Sequence, residues 1–414
     1  MNSIVVRTLD CGMPLLVETM SGVKSAGLTW LLPAGAASEP ADRLGLSTLW
    51  SELLMRGAGD LDSRAHADAL DRLGVSRSGD TGLQHLRLSA TMLGSRLLES
   101  LPLLVDMVRR PRMDEASIEP ARDLALQHLA ALKDDPAARA GIAARSRHFP
   151  APFNRSTLGT AEGLAAITRE DLVGGWQQRA RPVGSILAVA GAVDPDAVQT
   201  RLNQLLSGWS GTFPDAAPGT GAPRGYSHEP DESNQVQVLV LADGPREPEP
   251  HSILEKVAVS VLSGGMSGRL FTEVREKRGL CYSVSAGYSG GKLFGALEAY
   301  VGTAPDRAQQ SLDVLVAELS RINTPEGRVT QNELDRAIIG MKSRVVFSGE
   351  STAARATALA IDMHRRGRPR SLDEIAREID QVTLDRVNQY LAGRSLGRLT
   401  IQTLGPAALT PPAL

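Results

Sequence analysis

LSGGMSGRLFTEVREKRGLCYSVSAGY, residues Leu262–Tyr288, decides the fold because it joins three local patterns in one short segment. An apolar stretch ends at Gly264 and Gly265, a glycine pair that is typical of a turn. The charged run EVREKR follows, and an alternating pattern typical of a strand begins near Leu280. The segment therefore predicts a turn, a helix and a strand in direct succession.

The same mixture of strands and helices extends in both directions. Strand-like stretches are found at Ala26–Gly35, Leu83–Leu93, Asn234–Gly244 and Leu280–Gly302, and long amphipathic helical stretches at Ser95–Arg110 and Glu115–Lys133. Because the strands do not alternate regularly with helices, the pattern favours the α+β class over a doubly wound parallel sheet. We expect two domains, each a mainly antiparallel sheet with helices packed on it.

The two domains are predicted to be duplicates joined near the middle of the chain. Residues 211–234 are rich in Pro, Gly, Ser and Asp, which indicates a linker between domains of residues 1–210 and 235–414. Each half ends with a threonine that can cap a helix, Thr168 or Thr383, and then with a short apolar strand that stops at Gly191 or Gly405. The two offsets, 383 − 168 = 215 and 405 − 191 = 214, agree closely and predict an internal duplication.

Composition excludes several classes of protein. The chain has 414 residues, a net charge of −2, 42% hydrophobic and 22% charged residues, which is ordinary for a globular protein. The near-neutral charge gives no bulk reason to bind nucleic acid or an anionic membrane. No apolar run is long enough to span a bilayer, and the N-terminal residues resemble no secretory leader, so a cytoplasmic location is expected. The two cysteines match neither a disulfide framework nor a metal-binding spacing.

Leu262–Tyr288 resembles the signature of the C-terminal domain in pitrilysin-type zinc peptidases, the inverzincins, and especially their bacterial and mitochondrial-processing-peptidase-like branch. The shared residues are the glycine turn, Ser267, Arg269–Phe271, Val274–Glu276, Gly279–Leu280 and Tyr282–Val284. Further matches lie at Leu158–Leu172 and Ala131–Pro136, so the resemblance covers nearly the whole chain. It implies the pitrilysin-like fold with two homologous domains.

The resemblance also locates the zinc-binding positions, and they are changed. The family carries H-x-x-E-H on a helix, in which the two histidines bind zinc and the glutamate acts on the zinc-bound water. The matching run here is GLSTLWSELLMRGAG, which places Thr48 and Glu52 at the histidine positions and Ser51 at the base. The family's third ligand, a glutamate on a later helix, corresponds to His128. We therefore expect no metal on this chain and interpret Glu52 and His128 as a hydrogen-bonded or ionic pair that replaces it.

Arg275 and Tyr282 match the Arg/Tyr pair that the family's C-terminal domain contributes to the active site. The resemblance implies that the tyrosine donates to the oxyanion of the intermediate and that the arginine holds a substrate carbonyl. Gly264 and Gly265 are expected to position the helix that carries Arg275 and to belong, with Arg275 and Tyr282, to the substrate-binding residues. The alternative without a function is that Arg275 belongs to a solvated charge cluster and that Tyr282 is a core residue of a strand.

The zinc-binding residues are changed while the Arg/Tyr pair is kept, and this combination predicts that two chains share one active site. By analogy with two-chain family members, this chain is a non-catalytic subunit whose homologous partner carries the zinc and cuts peptides. Two alternatives remain: a structural scaffold, as in respiratory-complex core proteins, or a homodimer that holds extended peptides at the strand edge near Gly79–Leu88. A metal site altered to use Glu52 and His128 is a third alternative.

Overall fold

A computed structural model describes residues 3–412 of the chain. The strands are β1 Ser3–Thr8, β2 Pro14–Thr19, β3 Ser25–Leu32, β4 Ser76–Thr81, β5 Leu86–Leu93, β6 Ile186–Gly191, β7 Gly225–Pro230, β8 Val236–Gly244, β9 Cys281–Gly290, β10 Gly295–Thr303 and β11 Thr400–Gly405. The α-helices are α1 Leu46–Leu53, α2 Ser63–Arg72, α3 Leu97–Arg109, α4 Glu115–Ala131, α5 Pro136–His148, α6 Ala161–Ala166, α7 Arg169–Arg179, α8 Pro195–Leu205, α9 Ser252–Ser263, α10 Ala308–Arg321, α11 Gln331–Gly349, α12 Thr352–Arg366, α13 Leu372–Asp380 and α14 Leu384–Gly393.

The strands form two mixed, mainly antiparallel sheets, which confirms the predicted α+β class. The first sheet has the order β1-β2-β6-β3-β5-β4, and the second has the order β7-β11-β8-β10-β9. The parallel pairs are β2 with β6 and β7 with β11. If β2 to β6 are matched in chain order with β7 to β11, the two sheets have the same strand order and the same parallel pair. This identity of topology is what an internal duplication produces.

The two predicted ends of the halves are found as expected. Thr168 caps α7 through a reciprocal capping box with Asp171, and Thr383 caps α14 by accepting from the backbone N–H of Arg386. The strands that follow in each half are β6 and β11, which are wholly buried. They occupy matching positions in the two sheets, because each lies beside the sheet's parallel partner strand.

The compact units of the structure differ from the contiguous ranges 1–210 and 235–414. The first unit contains residues 3–131, 151–219 and 348–371, and the second contains 132–150, 220–347 and 372–412. Each unit therefore takes one helical segment from the other half of the sequence. Helix α12 packs on β3 and β6 of the first unit, and α5 packs on β8 and β11 of the second. Within the predicted linker 211–234, residues Gly225–Pro230 form strand β7, because they pair with β11.

A buried ion pair fixes α12 on the first sheet. Arg355 of α12 donates to the carboxylate of Glu18 on β2, and each side chain is 1% exposed. The same guanidinium donates to the carbonyl of Arg370 at 2.5 Å, and Arg370 makes two 2.9 Å bonds to Asp362. No local pattern in the sequence predicts this network, since Glu18 and Arg355 are 337 residues apart.

The remaining core of the first unit is built around the protein's tryptophans. Trp30 contacts Trp209 edge-on with ring centroids 5.7 Å apart, and Trp50 contacts Trp176 at 5.7 Å. All four tryptophans of the chain lie in this unit. Tryptophan fluorescence therefore reports the unfolding of the first unit alone.

In the described residues, none of the helices has the length and apolarity needed to cross a bilayer.

Removing one partner of the buried pair should destabilise the first unit strongly. Arg355→Met leaves the Glu18 carboxylate buried without its cation, and we expect a loss of about 3–5 kcal/mol in the free energy of unfolding. The measurement is urea denaturation followed by tryptophan fluorescence. The double variant Glu18→Leu/Arg355→Met should recover most of the loss, because an apolar pair leaves no buried charge. Equal losses in the single and double variants would show that packing rather than charge holds α12.

Candidate functional site

The helix at the former zinc position, α1, is fixed at its start by a buried carboxylate. Glu39 accepts the backbone N–H groups of Gly45 at 2.9 Å and Ser47 at 2.6 Å, which satisfies donors that a helix leaves open at its first turn. Arg155 donates to the carbonyl of Glu39 at 2.6 Å and holds this loop in place. Helix α4 packs against α1. The scaffold of the site is therefore well built although its ligands are changed.

The polar groups at the former zinc positions on α1 are used within the chain. Thr48 donates its hydroxyl to the carbonyl of Thr157 at 2.7 Å, and Ser51 donates to the carbonyl of Thr48 at 2.8 Å. Glu52 accepts two bonds from Arg56, which lies in the turn that follows α1, at 2.7 and 2.9 Å. Because these three side chains already form hydrogen bonds within the chain, they do not make an open set of metal ligands. In residues 3–412, no group of three or more His, Cys, Asp or Glu side chains is arranged to hold a metal ion.

The predicted pairing of Glu52 with His128 is wrong. Glu52 forms its ion pair with Arg56, because Arg56, four residues later in the turn that follows α1, lies within reach of the carboxylate. His128 is exposed on α4 and makes no hydrogen bond or ion pair with Glu52. The sequence contained the signal for the actual pair in the spacing of Glu52 and Arg56.

The edge strand β4 runs directly beside α1. A Cβ atom on Gly79 would lie 2.7 Å from the carbonyl oxygen of Ser51, so only glycine allows the strand to approach the helix this closely. Thr81 donates its hydroxyl to the carbonyl of Ser47 at 3.0 Å. The strand pairs with β5 in the register Gly79↔Leu88, and it is the last strand of the first sheet. The changed zinc positions therefore adjoin a sheet edge.

In the second unit, a π-helical turn at Phe271–Glu276 carries Arg275. Such turns are rare and occur often at functional sites. The Arg275 guanidinium lies 4.8 Å from the ring centre of Phe271 and 5.0 Å from that of Tyr282, at the start of β9. The structure therefore brings together the two residues that the sequence predicted as a pair, and cation–π contact with both rings holds the arginine.

Arg275 differs from the other cations of the EVREKR run. Lys277 and Arg278 both bind Glu273, at 2.6 and 2.8 Å. Their hydrogen bonds hold the pKa of Glu273 below its ordinary value. Arg275 has neither a carboxylate nor a hydrogen-bonding partner in the described part of the chain. A solvated charge cluster therefore describes its neighbours, but not Arg275 itself.

Tyr282 is 81% exposed, although it lies on a strand. Its hydroxyl makes no hydrogen bond within residues 3–412, whereas Tyr288 on the same strand donates to the carbonyl of Pro245 at 2.6 Å. The interpretation of Tyr282 as a strand-core residue therefore does not fit. Arg275 and Tyr282 together present unused donors to an acceptor outside the described chain.

The glycine turn and a buried arginine position this pair. Helix α9 ends at Ser263, and Gly265 has φ +144°, which a residue with a side chain rarely adopts. A Cβ atom on Gly264 would lie 2.3 Å from the carbonyl oxygen of Ser260. These two glycines therefore set the turn before the Arg275 segment.

Arg269 anchors the same segment to α11. It donates to both carboxylate oxygens of Glu333 at 2.7 and 2.8 Å. It also donates to the carbonyls of Gly327 and Arg328 at 2.6 and 2.9 Å. Arg269 was predicted only as part of a motif, and the structure shows that it fixes the start of the turn carrying Arg275.

Comparisons with known proteins find relatives along most of the chain. A family model described as Insulinase (Peptidase family M16) matches residues 16–160, and one described as Peptidase M16 inactive domain matches residues 166–341. A Mycobacterium tuberculosis protein named an uncharacterized zinc protease is 28% identical over 410 residues, covering 96% of this chain and 92% of its own.

Solved structures share the fold. The crystal structure described as the peptidase M16 inactive domain from Pseudomonas fluorescens has a TM-score of 0.85 at 19% identity and covers 99% of both chains. A chain of Complex III2 from Candida albicans has a TM-score of 0.82 at 15% identity, covering 98% of this chain and 96% of its own. At these identities the likeness concerns the fold alone.

Acid should weaken the anchor of the Arg275 segment. Burial alone raises the pKa of Glu333, but the hydrogen bonds from Arg269 and Thr330 outweigh it and lower the pKa from 4.5 to about 2. A carboxyl group whose pKa falls on folding stabilises the fold above its unfolded pKa. The contribution of Glu333 should therefore be complete at neutral pH and be lost as the pH falls from 4.5 towards 2.

Comparison with Glu333→Gln isolates this contribution from that of other carboxylates. At neutral pH the variant should lose about 2 kcal/mol of stability, the usual value of a hydrogen bond to a charged group. Urea unfolding followed by circular dichroism should show the difference from the wild type shrinking as the pH falls. A difference that stays constant over this interval would contradict the assignment.

Restoring the family's ligand types should create a zinc site. The variant Thr48→His/Ser51→Glu/Glu52→His/His128→Glu is expected to retain about one zinc ion per chain after dialysis, because three such ligands with one open position suffice. Elemental analysis measures the retained metal, and the wild type should retain none. A control that restores only the two histidines on α1 lacks the carboxylate and should bind zinc more weakly. If the full variant is also metal-free, α1 and α4 do not bring these positions together.

Proposed function

Since the chain belongs to the M16, or pitrilysin-type, peptidase family and lacks the family's zinc motif, we propose that it is the non-catalytic subunit of a heterodimeric zinc peptidase. In this proposal a homologous subunit carries the zinc, and this chain supplies Arg275 and Tyr282 in trans. The substrate is an extended peptide. A cytoplasmic location is part of the same proposal, with Cys11 and Cys281 as free thiols.

The observation that carries the proposal is the unused state of the Arg/Tyr pair. Arg275 is held between two aromatic rings without a counter-ion, while Lys277 and Arg278 beside it are both neutralised. A protein that served only as scaffold would gain nothing from an exposed tyrosine and an unpaired arginine kept in contact. A hydrogen-bond acceptor on a substrate would give both side chains the partner that they lack.

The chemistry of the two side chains suits peptide hydrolysis. The partner's zinc would polarise the scissile carbonyl and activate a water molecule. The Tyr282 hydroxyl is a donor for the oxyanion that forms when this carbonyl is attacked, and such donors stabilise the transition state more than the substrate. The guanidinium of Arg275 is a rigid fork that can hold a neighbouring carbonyl.

The scaffold alternative keeps one supporting observation, the fold shared with a chain of Complex III2 from Candida albicans. That likeness is of the fold alone, and it gives no use to the free donors of Arg275 and Tyr282. A peptide-holding homodimer would use the same donors without cleavage. Activity measurements separate the peptidase subunit from the two functions that involve no cleavage.

The test compares peptidase activity of this chain, of a homologous chain with an intact H-x-x-E-H motif, and of their mixture on a library of short peptides. Activity should appear only in the mixture. Tyr282→Phe should reduce kcat about 100-fold or more, because a single oxyanion donor contributes that much. Arg275→Lys keeps the charge but loses the fork, and it should retain an intermediate activity.

Tyr288→Phe is the matched control, since it removes a hydroxyl from the same strand that is already bonded to Pro245. It should leave kcat unchanged. A partner that is equally active alone, or a Tyr282→Phe mixture as active as the wild type, would refute the supply of residues in trans. The scaffold or peptide-holding function would then be the better account.

A further inference from the structure

The edge strand β4 presents one face to the helices and one to solvent. Ser76, Ser78 and Asp80 are exposed, while the alternate residues Arg77, Gly79 and Thr81 are partly covered. The contacts of Gly79 and Thr81 with α1 identify the covered face as the one that looks towards the former zinc helix. The side chain of Arg77 lies on this face, because successive residues of a strand alternate between its two sides.

Arg77 has no partner. Its Nε atom is buried without a hydrogen bond, and no carboxylate or carbonyl in residues 3–412 bonds to its guanidinium. Other partly covered arginines of the first unit have partners: Arg56 binds Glu52, and Arg43 binds Asp171. Burial lowers the pKa of Arg77 and outweighs the opposite effect of Asp71. A cation that is partly removed from water without a counter-ion costs stability, so its place in the fold needs another reason.

The groups around Arg77 do not neutralise it. Asp71 is exposed and does not bond to the guanidinium, and Asp106 binds Arg110 instead. His66 is fully buried with its Nδ1 atom unpartnered. Burial lowers the pKa of His66 and the charge of Arg77 lowers it further, so this histidine is neutral at pH 7 and adds no counter-charge.

The resemblance already offers the open edge of β4 as a place for an extended peptide, and we propose beyond it that Arg77 selects an acidic side chain on such a peptide. In the described part of the chain β4 pairs with β5 on one side only, so its other edge offers free backbone donors and acceptors to an added strand. A side chain across from Arg77 on such a strand lies about 5 Å away between Cβ atoms. A carboxylate at that position forms a charge-assisted, bidentate ion pair with the guanidinium of Arg77.

The register of β4 places this selection relative to the former zinc helix. Gly79, two residues after Arg77, is the point at which the strand touches Ser51 of α1. The acidic residue is therefore two positions along the peptide from the residue that passes α1. The inference rests on the peptide-binding part of the proposed function, but it needs neither the partner's zinc nor Arg275 and Tyr282.

Equilibrium binding to the wild-type chain alone tests the inference. The probes are two short fluorescein-labelled peptides of Ser, Thr and Val that differ only in a central Glu or Gln, measured by fluorescence anisotropy. The Glu peptide should bind roughly tenfold more tightly, the difference expected of a hydrogen-bonded charge pair. Arg77→Met should abolish the preference while leaving the weaker binding of the Gln peptide.

Arg87→Met is the matched control, because Arg87 lies on the neighbouring strand and already binds Asp80 at 3.0 Å. It should keep the preference for Glu. Equal affinity of the two peptides for the wild type, a preference that survives in Arg77→Met, or no binding of either peptide would overturn the proposal. An Arg77-dependent dimer in sedimentation, without peptide binding, would assign the edge to a second copy of the chain instead.

A stability measurement separates a binding residue from a structural one. If Arg77 is unpaired in the free chain, Arg77→Met should keep or raise the urea midpoint seen by tryptophan fluorescence, which reports the first unit. A lowered midpoint would show that the fold needs the arginine and would overturn the proposal. If the wild type shows no preference for Glu but Tyr282→Phe still lowers the activity of the mixture, only the Arg77 site is refuted. If the wild type prefers Glu but Tyr282→Phe has no effect, only the supply of residues in trans is refuted.

Discussion

The buried ion pair between Glu18 and Arg355 is the constraint on which the first unit depends. It joins a strand near the start of the chain to a helix near its end, and neither charge has access to water. Once α12 is held on β3 and β6 by this pair, residues 348–371 belong to the first unit although the sequence that surrounds them builds the second. The exchange of α5 in the opposite direction has the same consequence for the second unit. Neither half of the sequence contains all the parts of one unit, and the sheet that carries α1 and β4 has a complete face only when the late part of the chain is present.

The duplication gave two equivalent sheets whose edge strands have become different. Strands β4 and β9 occupy the same place at the end of their sheets. In the first unit the edge carries Arg77 and adjoins a helix whose former ligands are bonded to the chain itself. In the second unit the edge carries Tyr282, in contact with Arg275. Equivalent topology thus places one unpaired arginine near each edge, with different surroundings, and the differences in function follow from side chains rather than from the backbone.

The fold class, the duplication and the Arg/Tyr pair could be predicted from sequence, because each depends on local periodicity or on a short motif. Thr168 and Thr383 cap their helices as their position before an acidic first turn indicates. The exchanged helices could not be predicted, since a helical pattern shows which face is apolar but not which sheet covers it. The partner of Glu52 was missed for a different reason. The match to the family's ligand positions favoured His128, whereas Arg56, four residues after Glu52 and just beyond the end of α1, lies closer to the carboxylate. The free state of Arg77 was also beyond the sequence, because an arginine's lack of a partner depends on every neighbouring element.

The polar groups at the positions discussed above fall into two kinds, those with hydrogen-bond partners and those without. Thr48, Ser51 and Glu52 have all acquired bonds within the chain, which is the expected fate of polar residues that no longer meet a ligand, since an unpaired polar group beside a packed helix lowers stability. Arg275 and Arg77 have not acquired such bonds, although acidic side chains are common nearby and both Lys277 and Arg278 found one. A cation that the fold leaves unpaired among paired ones is stabilising only in a complex that supplies its counter-charge or acceptor. For that reason we place the proposed binding surfaces around Arg275 and Arg77, and not around Thr48, Ser51 and Glu52 on α1.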